Sequence, residues 1–152
     1  MFRERLAAFK LAPGAYEAVR SVETYIRRCG LEQSLIELVD MRASQINGCA
    51  YCLDMHSKDA RRAGETEQRL YLLNAWRDSP LYTDRERAAL AWTEALTLVA
   101  ETHAPDDVYD QVHARFGEAE LVNLTTLIGL INLWNRLMIG FRSQHPVTVK
   151  AA

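Results

Sequence analysis

The chain has 152 residues, 49% of them hydrophobic and 25% charged, with seven glycines and four prolines. That balance suits one ordinary globular domain and excludes disordered, collagen-like and low-complexity chains. Eighteen Lys and Arg against twenty Asp and Glu leave a formal charge of -2; with no overall cationic field to hold a phosphate backbone or an anionic membrane surface, neither nucleic acid nor a membrane is expected as a partner.

The opening Met1-Phe2-Arg3-Glu4-Arg5 brings charges at once where a secretory segment would be apolar, and three cysteines are too few and too odd for a disulfide scaffold. A reducing, cytoplasmic setting is therefore expected. Along the chain apolar residues recur every three or four positions, and alternating strand-like runs are missing, so the fold class is expected to be all-α. Pro13 suits the first turn of a helix running through Val19, Val22 and Ile26 to Cys29, with Gly30 as its stop. A second helix starts near Glu32, gathers Leu35, Ile36, Leu38, Val39, Ala43 and Ile46 on an apolar face, and ends at Asn47-Gly48. A third runs from about Ala50 to Ala63 before Gly64, and a short one from about Glu67 to Ala75 before Asp78-Ser79-Pro80.

Thr83-Asp84-Arg85-Glu86 is a capping-box pattern that opens a helix through Leu90, Ala91 and Leu96 to Val99. Pro105-Asp106-Asp107 begins another to about Phe116, and after Gly117 a long apolar helix occupies 118–141. These make a single-domain bundle of about six to eight helices, with a core over about 15–100 and the long helix after it. Asn123, Asn132, Asn135 and Arg136 interrupt that helix, which argues for a buried helix over a membrane span. Its apolar residues nonetheless cover more than one face, so it is either central in the core or shared with another subunit.

The chemistry centres on Cys49, Cys52 and His56, at offsets 0, 3 and 7 of one helix start. They share a face. Unpaired amides in a first helical turn favour a thiolate, His56 one turn beyond Cys52 can add positive charge or take a proton, and a two-residue gap lets the sulfurs close a disulfide. These are the requirements for a thiolate that attacks, is oxidised and is resolved by its neighbour. The same residues would supply three ligands to zinc, with no evident fourth, and inert buried thiols are a third reading. Glu37, among Ile36, Leu38 and Val39 on the preceding helix, either folds back to orient His56 or points to solvent from the helix edge.

The pattern Glu-x11-Cys-x2-Cys-x3-His from Glu37 to His56, set in Ser44-Gln45-Ile46-Asn47-Gly48-Cys49, resembles the alkyl hydroperoxidase D-like (AhpD-like) branch of the carboxymuconolactone decarboxylase superfamily. So does the late segment Leu121 to Arg142 with its Asn132-x2-Asn135-Arg136. The resemblance implies an all-helical subunit that assembles into trimers or hexamers and reduces hydroperoxides. On it, Cys52 is the peroxidatic thiol, Cys49 the resolving thiol, His56 the base and Glu37 its partner. The disulfide would be returned to the dithiol by an external reductant, a lipoyl-bearing protein in the best-known branch, with no bound organic cofactor or metal. One departure stands in the relay: the best-known hydroperoxidases carry His immediately before the second cysteine, where this chain has Tyr51, a poorer base at neutral pH. The rival to a peroxidase is a non-enzymatic helical oligomer that binds zinc or senses redox state. Decarboxylation of a lactone fits less well, because that branch does not use the cysteine pair.

Outside the motif, Cys29 is expected to be a buried small residue. His103, His113 and His145 lack ligand spacing. Trp76, Trp92 and Trp134 are expected in the core or an interface, and Asn132, Asn135 and Arg136 in a buried polar network.

Overall fold

The computed structural model describes residues 3–147. Within them the protein is all-helical: α1 (Ala8–Leu11), α2 (Pro13–Ile26), α3 (Gln33–Asn47), α4 (Ala50–Arg62), α5 (Glu67–Leu72), α6 (Asp84–Thr97), α7 (Val99–Thr102), α8 (Asp106–His113) and α9 (Glu118–Phe141), with a 3-10 segment at Leu73–Asp78. Among the described residues this makes nine α-helices; the expected count is exceeded by the single turns α1 and α7. Both ends of α3 and α4 follow from local chemistry. Gly48 takes φ 69° and Gly64 φ 97°, a left-handed region open to glycine without a Cβ penalty. Thr83 opens α6 with the expected capping box, its hydroxyl accepting from the Glu86 amide while the Glu86 carboxylate accepts from the Thr83 amide.

Four boundaries differ from expectation. α2 ends at Ile26, three residues before Cys29; Arg27 already caps it, and Gly30 at φ 98° completes the reversal. This releases Arg27 from the helix and turns its side chain toward α3. The helix expected over 67–75 gives way at Leu73 to a 3-10 segment bent at Ala75. α6 breaks at Leu98, whose φ -103° and ψ 30° are not helical, and His103 and Ala104 in left-handed conformation carry the chain to Pro105. α8 stops at His113 and not at Phe116.

α3 is the hub, packed on α4, α6 and α9. Its Leu35, Ile36, Leu38 and Val39 are all but sealed from solvent. α9 is long and apolar enough to cross a membrane by length and composition; here it is a core helix, with Leu121, Leu124, Leu127, Ile128 and Ile131 packed against α3 and α6. Burying each such side chain contributes about 1.5–3 kcal/mol. The opposite side of α9 leaves Val122, Leu133 and Ile139 exposed, so the helix is central in the core along one face and apolar toward solvent on the other. Trp76 and Trp92 are core residues as expected, tied through their indole N–H to Glu94 and Thr125. Trp134 is half-buried against the core and also forms part of a cavity wall. Cys29 is half-buried against the main core.

Candidate active site

α3 folds back onto α4 through two residues, Gly48 and Cys49. The Gly48 amide donates to the Gln45 carbonyl at 3.3 Å and the Cys49 amide to the Ser44 carbonyl at 3.0 Å, which closes α3 and leaves Cys49 as the N-cap of α4. An N-cap normally offers an oxygen to the free amides of the first turn. Here the Cys49 sulfur accepts from the Cys52 amide at 3.4 Å, and the two sulfurs lie 2.8 Å apart, within hydrogen-bonding distance. The Cys49 thiol is thereby lowered to about 7; the Cys52 S–H does most of this, burial opposes it, and the Cys52 amide, Asn135 and the nearby His56 charge assist. Cys52 moves the other way: its thiol is pushed up by donating to Cys49, then by burial and by the charge on Cys49. When the pair loses one proton the charge therefore settles on Cys49, and Cys52 keeps its hydrogen.

Asn135, fully buried on α9, clamps this corner. Its amide nitrogen donates to the Ser44 hydroxyl at 3.0 Å and its oxygen accepts from Asn47 at 2.8 Å. Asn47 also donates to Asn132 at 3.0 Å, and Asn132 to Thr97 at 3.0 Å, while Arg136 donates to the Asn132 side-chain oxygen at 3.0 Å. This is the polar network expected on the last helix, buried at Asn132 and Asn135 but exposed at Arg136, and it reaches the sulfurs, because Asn135 favours the thiolate form of both cysteines.

His56, one turn along α4 from Cys52, is buried with its Nδ1 3.1 Å from Glu37 Oε2 and 3.5 Å from Asp40 Oδ2. Carboxylates only accept, so Nδ1 carries a hydrogen. Glu37 is buried, 3% exposed, and not a solvent-facing charge. Its other oxygen accepts from Arg27 at 2.8 Å and Gln33 at 2.6 Å. Burial alone would raise the Glu37 carboxyl, but hydrogen bonds from His56 and Arg27 outweigh it and hold it below the ordinary range. For Asp40 the balance is reversed. Burial dominates, its cations stand off at 3.5 Å (His56) and 4.0 Å (Arg27), and its carboxyl is pushed up to about 6. His56 feels burial pulling its pKa down, yet Asp40 and then Glu37 overcome it and the net shift is upward.

Cys52, His56, Asp40 and Tyr51 line one cavity of about 200 Å³. Ile36, Leu127, Leu130, Ile131 and Met138 form its apolar wall, and Phe9, Tyr16 and Trp134 pack on one another at its edge, with ring centroids 4.6 to 5.9 Å apart. Cys49 lies outside the lining, behind Cys52. All five residues singled out from the sequence thus gather around one corner, the Cys52 side with Tyr51 and the carboxylate side with Glu37. The ligand set imagined for zinc does not gather in the same way: His56 pairs with carboxylates. Among the described residues the compact group is Glu37, Asp40 and His56, whose donor atoms lie within 4.8 Å. Arg27 and Gln33 already occupy Glu37, so the group reads as a charge-balanced proton network. Sequence reasoning missed Asp40 and Arg27. The signal for Asp40 was present: Glu37-x2-Asp40 puts a second carboxyl on the same buried face of α3. Arg27 was hidden by placing the end of α2 three residues too late.

A helical bundle with a thiol pair at a helix start, backed by a Glu–His pair, defines an AhpD-like class of protein. The carboxymuconolactone decarboxylase family model matches residues 13–95, and the chain belongs to that family. It is 39% identical over 141 residues to the uncharacterised Bacillus subtilis protein YdfG, covering 93% of this chain and 96% of YdfG. The crystal structure of ATU0492 from Agrobacterium tumefaciens, a protein of unknown function described as a candidate AhpD antioxidant defence protein, superposes with a TM-score of 0.94 at 49% identity over 96% of this chain and all of that one. The debrominase Bmp8 shares the fold, with a TM-score of 0.79 at 20% identity over 91% of this chain and 75% of Bmp8.

Proposed function

We propose that the protein is a thiol-dependent peroxidase that reduces organic hydroperoxides through Cys49 and Cys52. The observation that carries this reading is the buried pair itself: two sulfurs 2.8 Å apart at the start of α4, one of them on the wall of an apolar cavity. Cys52 is the attacking sulfur because it faces the cavity. Passing its proton to Cys49 leaves Cys52 as the thiolate, which attacks the terminal oxygen of the hydroperoxide; the O–O bond breaks, giving a sulfenic acid on Cys52 and an alkoxide. Cys49 then attacks the Cys52 sulfur, water leaves, and a disulfide forms. His56, oriented by Glu37, provides the positive charge and hydrogen-bonding capacity that the relay needs, and Tyr51 stands at the cavity wall in the place where the best-known relatives carry His.

An external dithiol returns the pair to its reduced state, a lipoyl-bearing protein being the reductant that the family resemblance favours. The exposed Val122, Leu133 and Ile139 of α9 support assembly into a homo-oligomer, a trimer or a hexamer, in the cytoplasm. A thiol count before and after addition of cumene hydroperoxide tests the function. Two thiols lost per chain, with a Cys49–Cys52 link, is the expected result; stoichiometric zinc with no thiol loss would establish the non-enzymatic reading instead.

A further inference from the structure

The peroxidase chemistry above leaves one proton unassigned. The singly ionised pair that attacks holds one proton between two sulfurs, whereas reducing a hydroperoxide to an alcohol and water while closing a disulfide consumes one more. Thiolate, thiol, hydroperoxide and a proton give disulfide, alcohol and water. The Cys49 proton leaves in the water, so the alkoxide must be protonated by another group, and it is born inside the cavity.

Two carboxyls on α3 flank His56, and only one of them faces that cavity. Glu37 is turned away from the lining and saturated by Arg27, Gln33 and His56. Asp40 is buried, lines the cavity together with Cys52, and among the described residues has only the 3.5 Å contact to His56 and the 4.0 Å approach of Arg27. We propose that Asp40, resting on the peroxidase reading, is the general acid that protonates the departing alkoxide, while Glu37 positions His56. The O–H bond of the Asp40 carboxyl breaks, its proton goes to the alkoxide oxygen, and the resulting carboxylate takes up a proton from solvent through the cavity.

The groups that face Asp40 agree with this role. Its own helix supplies Glu37; α2 and the turn after it supply Glu23 and Arg27; α4 supplies His56 and Cys52; α9 contributes only apolar side chains to the cavity. Burial first of all, then Glu37, raises the Asp40 carboxyl to about 6, against the pull of His56 and Arg27. A carboxylic acid poised near the working pH both holds and releases a proton effectively.

The test compares leaving groups. Reduced wild-type protein and Asp40→Asn are mixed with cumene hydroperoxide, which expels a strongly basic alkoxide, and with peracetic acid, which expels a weakly basic carboxylate needing no acid. Asp40→Asn is expected to slow thiol loss with cumene hydroperoxide about 100-fold, the low end for loss of a general acid, and to leave the peracetic acid rate within about threefold. With cumene hydroperoxide the wild-type rate passes through a maximum near neutral pH and falls on the alkaline side; in Asp40→Asn it rises to a plateau as Cys49 ionises, and Asp40→Glu restores the alkaline fall. Equal slowing with both oxidants would make Asp40 merely structural and overturn the proposal, as would an unchanged cumene hydroperoxide rate. Should Asp40→Asn not fold, the wild type decides: a cumene hydroperoxide rate without an alkaline fall rejects an acid in the cavity. A wild type that loses no thiol to either oxidant would overturn the peroxidase reading itself, a result distinct from any effect of the variants.

Discussion

Two charge clusters flank α3, one half-buried around Glu94 and one buried around Glu37 and Asp40, and they treat their carboxylates in opposite ways. On one side Glu94 of α6 accepts from Arg42 at 2.7 Å, from the Trp76 indole at 2.8 Å and from Arg77. Burial would raise its carboxyl, but these three donors hold it below the ordinary range. The Glu94 charge is fully compensated, and no member of the cluster lines the Cys52 cavity. On the other side Glu37 is equally well paired, but Asp40 is left with distant cations and an open cavity in front of it. A carboxylate whose acceptors are all filled serves the fold. One left short of donors beside a thiol is available for proton transfer.

Substitutions separate the two clusters and the thiols they flank. The largest effect falls on the thiols: Cys52→Ser abolishes hydroperoxide-driven thiol loss, whereas Cys49→Ser still oxidises at Cys52 but closes no disulfide, as intact-mass measurement would show. If both variants consume hydroperoxide at the parent rate, the mechanism fails. Next, Glu94→Gln removes the carboxylate charge that Arg42 and Arg77 share, and costs about 1–2 kcal/mol in chemical denaturation, less than a fully buried pair because Arg77 is exposed to solvent, while leaving the thiol oxidation rate unchanged. A stable Glu94→Gln would erase the distinction between the clusters.

A subtler effect concerns pH. The Asp40 carboxyl is raised from 3.8 to about 6 on folding, so the stability it contributes is present below its unfolded value and lost as pH rises through about 6. Glu37, held low, has the opposite sign: its contribution is present above its unfolded value and lost as pH falls. Asp40→Asn should therefore gain stability relative to wild type as pH rises, and Glu37→Gln should lose it; Tm measured across that range checks both, and parallel curves would contradict the assignment. The smallest effect is at Tyr51: Tyr51→His restores an imidazole at the cavity wall and should raise the neutral-pH rate by up to about tenfold, with Tm unchanged.

Much of this arrangement is legible in the sequence because it is local. Asn47-Gly48 ends α3 through a left-handed residue, Thr83 and Glu86 cap α6, and the spacing of Cys49, Cys52 and His56 fixes one face of α4. The failures are non-local. Nothing near Leu98 signals the break in α6, and Gly30 drew the end of α2 past Arg27, hiding the guanidinium that pairs with Glu37. The opposed shifts of Glu37 and Asp40 depend on which donors three separate helices deliver, and the place of Trp134 in the cavity depends on how Phe9 and Tyr16 fold over it. No spacing rule encodes either.

The central claim is that Cys49 and Cys52 are a working redox pair, and its most direct test is a free-thiol count on the reduced, metal-free protein mixed with cumene hydroperoxide, followed by disulfide mapping. Rapid loss of two thiols per chain with a Cys49–Cys52 bond is the predicted result; intact thiols after exposure, or oxidation confined to Cys29, would contradict it.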